Sequence, residues 1–333
     1  MPPPAASPSP FEHSFVGLIA ARAVTAAATL GVFESLVASG PATAGELAER
    51  LGLDPAGTEA LLVALTTLGY VRAEGSRFAP EPVVERLLAP SSPESIASFV
   101  GAQSELHWDV LRPLDDAIRT GQPYRLHEER QDDPAWVGYM RGLFEISRKE
   151  QDANAALVPV VDARSLVDVA GGHGGFSMAM CRRFHDLRAT ILDLPAAAAV
   201  GRRIVDEEGY ADRIEFHEGD VFEVGLGHDR DVISVFNLVH HLPEERDREL
   251  VEMARAALRP GGALVVGDSE KPVPGSPSEQ GALSSLLFYA WSGGRNFEGA
   301  EVVAWLEDAG FERVALHRSE TAPWRILVVG SAP

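Results

Sequence analysis

Two histidines stand side by side in FNLVHHLPEERDREL, residues 236–250, where an apolar run meets Leu-Pro and a cluster of charge. Imidazole takes up or releases a proton near neutral pH and also ligates metals. His240 and His241 are therefore open to three readings: a proton-abstracting base with a neighbour, a pair of metal ligands, or imidazoles that close a strand end. A second chemical stretch lies upstream, SLVDVAGGHGGFSMAMCRRF, residues 165–184. Asp168 sits there on a short apolar run, just before the turn Gly171-Gly172-His173-Gly174-Gly175. Side chains are nearly absent from such a turn, so backbone amides can approach a ligand at a strand's carboxyl end, near a helix N-terminus. Two further acids follow at strand-end spacing: Asp193 closes ATILDLP, and Gly219-Asp220 close IEFHEGD. An acid at the tip of the second strand can accept both hydroxyls of a ribose, and one after the third can bond an exocyclic amine. The glycines do not give G-x-G-x-x-G in register with Asp168, which favours an adenosine ligand without a pyrophosphate over a dinucleotide.

The elements that must hold these residues change character along the chain. From residue 164 the pattern is strand, Gly turn, helix, strand, repeated to the C-terminus, which predicts a mostly parallel α/β sheet. LRPGGALVV (258–266) is a Pro-Gly-Gly turn feeding one of its strands. Residues 11–90 predict helices and then a small hairpin. FVGLIAARAVTAAATLGVFESLV is Ala-rich with helical periodicity, ATAGELAERLGL has a Thr cap, DPAGTEALLVALTTLGYV has Pro in its first turn, and GYVRAEGSRFAP turns at Glu-Gly-Ser. Helix, short helix, longer helix, hairpin is the order of a winged helix. DPAGTEALLVALTTLGY carries no Lys or Arg to meet phosphates or base edges, which favours a dimerisation or scaffold role over DNA recognition. Residues 91–155 read as mostly helical, with Met140 and Phe144 four apart on one face. The expected organisation is a disordered Pro/Ala/Ser-rich tail over 1–10, a winged-helix-like dimerisation domain over 11–100, a helical linker contributing to a substrate pocket over 101–155, and the α/β domain over 156–333.

Composition narrows the partners. The chain has 333 residues, enough for two domains, and a formal net charge of −20, so a phosphate backbone would be repelled on average. No nucleic-acid partner is expected. No apolar stretch is long enough and free enough of charge to span a membrane, and the N-terminus lacks the basic start and apolar core of a signal peptide. Cys181 is the single cysteine, which leaves no internal disulfide and no cysteine-based zinc site. A cytoplasmic protein is the expectation.

LVDVAGGHGG, ILDLP, GDVFE, NLVHHLPEE and ALRPGGALVVGDS occur in an order and at a spacing that resembles the class I S-adenosylmethionine (SAM)-dependent methyltransferases. More narrowly, the chain resembles the small-molecule O-methyltransferases typified by plant caffeic acid O-methyltransferase and bacterial tailoring enzymes, over residues from about 11 to 330. That resemblance implies a Rossmann-like SAM-binding domain behind an N-terminal, mainly helical winged-helix dimerisation domain. It implies a homodimer, SAM as cofactor, and a small aromatic or polyketide-like hydroxyl of secondary metabolism as acceptor. The family's D-x-G-G-G-x-G becomes Asp168, Val169, Ala170, Gly171, Gly172, His173, Gly174, with one glycine replaced by alanine. Asp168 would then sit near the methionine amino group, Asp193 with Leu194 would hold the ribose, and Gly219, Asp220 and Val221 would line the adenine. Phe236 and Asn237 would complete the cofactor site.

The same resemblance puts His240 at the position of the base that removes the acceptor's proton and His241 at a following Asp. The family orients that base with two later acids. Glu270 is available for the first, with Asp268 close by, while Asn296, preceded by Arg295, stands at the second. One carboxylate in place of two would lower the base's pKa somewhat. C-methylation of an aromatic ring or an α-keto acid, metal-assisted or not, is therefore the alternative to O-methylation. A methyltransferase-fold protein with a non-methylating activity is a further one. A metal site at the two histidines lacks a convincing third ligand, so none is assigned, and adjacent side chains on an extended segment would point apart. Trp108, Met140, Phe144, Phe288, Tyr289 and Trp291 are the expected pocket wall, with His241, Arg295 and Asn296. For each apolar residue alone, core packing competes with that role.

Overall fold

The computed structural model describes residues 9–124, 134–275, 279–320 and 322–333. They fall into two compact units, Met1–Trp108 and Asp109–Pro333. Most of the segment expected as a tail lies outside the described residues; Ser9 already caps α1 (Pro10–Thr29) through the Glu12 amide, and the Glu12 carboxylate returns the bond.

The first unit follows the helical order read from its sequence. After α1 come α2 (Val32–Ser39), α3 (Ala44–Leu51) and α4 (Pro55–Thr67), then the hairpin β1 (Val71–Glu74) and β2 (Arg77–Pro80). Thr43 and Glu46 form the capping box of α3, and Asp54 caps α4 just before its N1 proline. Each such cap is worth about 1 kcal/mol. Ala27, Phe33, Leu36, Leu47, Leu62, Leu65 and Val71 close one core. The outer face of α1 stays apolar: Phe11, Phe15, Val16, Leu18 and Ile19 are all exposed.

The second unit is built on a seven-stranded sheet in the order β5-β4-β3-β6-β7-β9-β8. The strands are β3 (Ser165–Val169), β4 (Arg188–Asp193), β5 (Ile214–Glu218), β6 (Arg230–Phe236), β7 (Leu258–Ser269), β8 (Glu312–Arg318) and β9 (Arg325–Ser331). β3 to β7 pair in parallel, while β9 runs antiparallel to both β7 and β8. The chain builds outward from β3 through β4 and β5, then returns to place β6 on the other side of β3. Parallel sheets bind ligands at the carboxyl ends of their strands where the winding reverses in this way. The helices that matter for the site are α5 (Pro134–Ala156), α6 (Gly175–Arg183), α7 (Pro195–Glu207), α8 (Glu244–Ala257), α9 (Glu279–Ser292) and α10 (Gly299–Asp308). Leu250, Val251 and Ala254 of α8 and Val302, Trp305 and Leu306 of α10 share a core with Leu264, Val266 and Val328 of the sheet. Burial on both faces is what makes strand segments such as residues 263–266 continuously apolar.

Candidate active site

The glycine-rich turn leaves β3 with Ala170 at φ 52°, a left-handed conformation that costs a residue with a Cβ roughly 1 kcal/mol or more. Beneath the turn Asp168 is 1 % exposed, and its oxygens accept from Ser177 Oγ at 2.7 Å and Ser234 Oγ at 2.6 Å. Burial pushes this carboxyl up to about 6, against the pull of those two serines. Asp168 ties the turn to α6 and β6 through these two bonds, one on each oxygen. A Cβ at Gly171 would lie 2.6 Å from the Asp168 carboxyl carbon, so only glycine fits over it.

Asp193 ends β4 and is placed differently. Its Oδ2 accepts from the Gly172 amide at 2.8 Å and its Oδ1 from the Leu194 amide at 2.7 Å. Each oxygen keeps lone-pair capacity for a further donor, as binding of two ribose hydroxyls requires. Burial is the main reason its carboxyl rises to about 6, with the two amides opposing. Gly174 at φ 75° opens α6, and the Gly219 amide donates to the Asp193 carbonyl at 3.0 Å, bringing the third strand end beside the second. Asp220 is exposed and caps the short helix Val221–Val224 through the Phe222 amide at 2.9 Å. Val221 is buried, and Leu194 is an exposed apolar side chain beyond Asp193. Phe236 packs on Phe176 with ring centroids 4.6 Å apart. Asn237 takes φ 51°, donates its amide to the Gly267 carbonyl and accepts at Oδ1 from Arg325. These residues gather at the carboxyl ends of β3, β4, β5 and β6. An open ribose acceptor, amides within a nearly bare turn and an apolar flank are the donor set an adenosine-bearing sulfonium needs, so the site fits SAM.

The histidines lie on a 3-10 turn, Val239–His241, and not on an extended segment, and their ring centroids are 4.0 Å apart. His240 is 2 % exposed; its Nδ1 is 2.7 Å from Asp268 Oδ1, and its ring stacks on Phe288 at 4.0 Å. A carboxylate only accepts, and Asp268 Oδ1 also takes the Ser269 amide at 2.6 Å. The hydrogen is therefore on Nδ1, which leaves Nε2 with its lone pair. Nε2 is buried with no hydrogen-bond partner among the described residues. His241 Nδ1 meets Ser292 Oγ at 2.8 Å. The loop after α9 presses on this turn: a Cβ at Gly294 would run into the His240 carbonyl oxygen.

Glu270 is not the acid that holds His240. It lies past the end of β7, accepts from the Gly299 amide at 3.1 Å, and forms a two-pronged ion pair with Arg318 at 2.9 and 2.5 Å. Burial raises its carboxyl, but Arg318 and the Gly299 amide outweigh this and hold it below the usual range. The edge strand β8 supplies that arginine, a partner that spacing along the chain could not indicate. Asn296 is buried and donates Nδ2 to the Ser269 carbonyl at 2.8 Å, bracing the strand end next to Asp268, while its Oδ1 has no partner among the described residues. Arg295 pairs with Glu244 at 2.8 Å on the surface. An open cleft of about 470 Å³ is lined by His241, Glu244, Ser292 and Arg295 among others.

Of the expected pocket wall, Phe288 and Trp291 stand with His240: their rings are 5.6 Å apart, and Trp291 meets Tyr139 edge-on at 6.0 Å. Tyr139 in turn packs on Trp136 at 5.2 Å. Sequence reasoning missed these two, although Trp136, Tyr139, Met140 and Phe144 repeat at helical spacing along α5. Met140 and Phe144 are turned to the glycine-rich side. The Met140 methyl lies against Gly172, and Phe144 is 5.8 Å from the ring of His173, whose imidazole burial pushes down to about 4. Tyr289 donates its hydroxyl to the Ala117 carbonyl at 3.2 Å. Trp108 is half-buried and belongs to the first unit.

Comparison with known proteins agrees with this geometry. An O-methyltransferase domain model matches residues 118–312, and an O-methyltransferase dimerisation domain model matches residues 12–90. The chain is 28 % identical to a 3-hydroxy-5-methyl-1-naphthoate 3-O-methyltransferase of Streptomyces sahachiroi, over 94 % of this chain and 92 % of that one. It is 27 % identical to an L-tyrosine C(3)-methyltransferase of Streptomyces lavendulae, over 92 % of this chain and 88 % of the other. Among solved structures, a mitomycin 7-O-methyltransferase superposes with a TM-score of 0.80 at 28 % identity, covering 97 % of each chain.

Proposed function

The chain belongs to the O-methyltransferase family and is a SAM-dependent methyltransferase, and from that premise we propose that it methylates a hydroxyl of a small aromatic or polyketide-like acceptor, with His240 as general base. The observation that carries this reading is the buried pair Asp268 Oδ1 and His240 Nδ1 at 2.7 Å, with Nε2 left unpartnered. SAM, when bound, supplies an electrophilic methyl on a sulfonium. Gly171, Gly172, Asp193, Leu194, Gly219, Asp220 and Val221 would hold it at the strand ends, with Phe236 and Asn237 beside them. His240 Nε2 would take the acceptor's hydroxyl proton and so ready that oxygen for the methyl group. Asp268 fixes the tautomer and steadies the imidazolium that results. Phe288 and Trp291 offer flat apolar faces to an aromatic acceptor, which positions it and excludes water. The dimerisation domain supports a homodimer, held through its N-terminal unit.

Incubation with isotopically methyl-labelled SAM and a panel of phenols, 3-hydroxy-5-methyl-1-naphthoate and N-acetylserotonin among them, tests the activity. We expect transfer to oxygen. We expect His240→Ala to lose about two to four orders of magnitude in kcat, the usual share of general-base catalysis, with little change in SAM binding. Full turnover by that variant would overturn the base assignment. C-methylation stays as the second reading because the chain is also similar to a C-methyltransferase. The carbon shift of the new methyl group separates the two products.

A further inference from the structure

One buried acid has no part in the chemistry above. Asp247 lies in the first turns of α8, is wholly excluded from solvent, and neither carboxyl oxygen has a hydrogen-bond partner among the described residues. An isolated buried carboxylate is costly unless it is paired or neutral. The register of the surrounding layer shows what it faces. Leu250 and Val251, three and four residues on, share its face of α8 and pack in one core with Leu264 and Val266 of β7. Side chains alternate along a strand, so Asp268 projects from the same side of β7 as Leu264 and Val266. α8 returns antiparallel between the parallel strands β6 and β7, so its N-terminal turn and the end of β7 meet at the same edge of the sheet. Asp247 is thereby set over Asp268, one step beyond the apolar contacts.

We propose that Asp247 is a positioning residue for the proton-accepting pair: an un-ionised carboxyl that donates its O–H to Asp268 and so fixes the carboxylate that fixes His240. The proposal rests on the reading of Asp268 and His240 as a catalytic pair. Two facing carboxyls that share one proton form a single hydrogen-bonded unit, which accounts for an acid that has no donor around it. Burial first, then the charge of Asp268, push the Asp247 carboxyl up to about 9; Glu244 acts in the same sense and Arg295 against it. Asp268 then receives hydrogen bonds on several sides: from Asp247, from His240 Nδ1 and from the Ser269 amide. Its rotation is closed off, and the imidazole keeps Nε2 free. Asp247 exchanges no proton with the acceptor and stays neutral through turnover. Its position within the charged stretch after the histidines makes it look like one more solvated acid in the sequence.

Two spectroscopic measurements on the S-adenosylhomocysteine complex test this without any acceptor. The infrared spectrum of the wild type at pH 7 should contain a protonated carboxylic-acid C=O band that is missing in Asp247→Asn and that fades as pH passes about 9. In the second, 15N-histidine labelling reads the His240 ring tautomer, with assignment by loss of the signals in His240→Gln. The wild type and Asp247→Asn, which keeps a neutral donor, should hold the ring as Nδ1–H. Asp247→Val, which keeps the bulk and loses the donor, should show a mixture of tautomers. Absence of the infrared band, or an unchanged tautomer in Asp247→Val, overturns the role of Asp247. If the wild-type ring is not Nδ1–H, the catalytic pair itself fails, an outcome distinct from the other two. Should Asp247→Val not fold, the band in the wild type and its loss in Asp247→Asn still decide the protonation.

Discussion

At the scale of single residues, the site depends on how buried polar groups are partnered. His240 is partnered on one side of its ring: Nδ1 is committed to Asp268, and Nε2 is buried with no partner among the described residues. Asp268→Asn keeps the shape but no longer fixes the tautomer, since an amide can present a donor to Nδ1. We expect it to lower kcat by roughly two orders of magnitude or more, with the KM for SAM nearly unchanged. Glu270→Gln should leave kcat within a factor of about three, because its partners are Arg318 and the Gly299 amide. Equal losses in the two variants would contradict the assignment. Ala170 offers a separate check. It is held left-handed where glycine would be free of strain, so Ala170→Gly should cost little or add up to about 1 kcal/mol of stability, read by denaturant unfolding. A clear loss would mean that the methyl group packs usefully.

At the scale of elements, the carboxyl edge of the sheet assembles both halves of the site. β3 and β4 bring the glycine-rich turn and Asp193 together, while β6 and β7 bring the histidine turn and Asp268 together. The N-terminal turn of α8 then sets Asp247 into the same edge. This has a consequence for stability with a definite sign. Asp247 holds its proton in the fold up to about 9, whereas the unfolded chain releases it near 4. The folded state binds more protons across that window, so stability falls as pH rises through it. Asp247→Asn removes the dependence. We expect its unfolding free energy relative to the wild type to rise from pH 5 to pH 8, by up to about 1.4 kcal/mol per pH unit, read by denaturant unfolding. A constant difference across that range would contradict the raised carboxyl.

At the scale of the whole molecule, each unit closes its own core, but the first leaves an apolar face on α1 open to solvent. Phe11, Phe15, Val16, Leu18 and Ile19 are exposed apolar side chains within three turns of one helix, and clustered exposure of this kind marks interaction surfaces. With a dimerisation domain model over residues 12–90, we propose this face as the seam of a homodimer. Phe15→Asp with Ile19→Asp should convert the protein to monomer by sedimentation. An unchanged mass would move the interface elsewhere. No single described helix is long and apolar enough to cross a membrane.

Much of this was legible in the sequence because it is local. Hydrophobic periodicity, caps and glycine turns gave the helical order of the first unit and the alternating strands of the second. The spacing of Asp168, Asp193 and Asp220 marked strand ends, and the position of His240 marked a base candidate. What needed tertiary structure was every pairing across strands. Asp268 and Glu270 lie two residues apart, and nothing along the chain says which of them meets His240. Strand β8 decides it, because its Arg318 draws Glu270 away. Asp168 reads as a strand-end acid in the sequence, and its bonds to Ser177 and Ser234 could not be read there, since both serines arrive from other elements. Asp247 lies in a charged stretch of the sequence and is nonetheless buried, because the face of a helix is set by what packs against it. Local pattern determines which elements form and where a strand ends. Only packing determines which of several identical carboxyls loses its water, and that loss gives each one its chemistry.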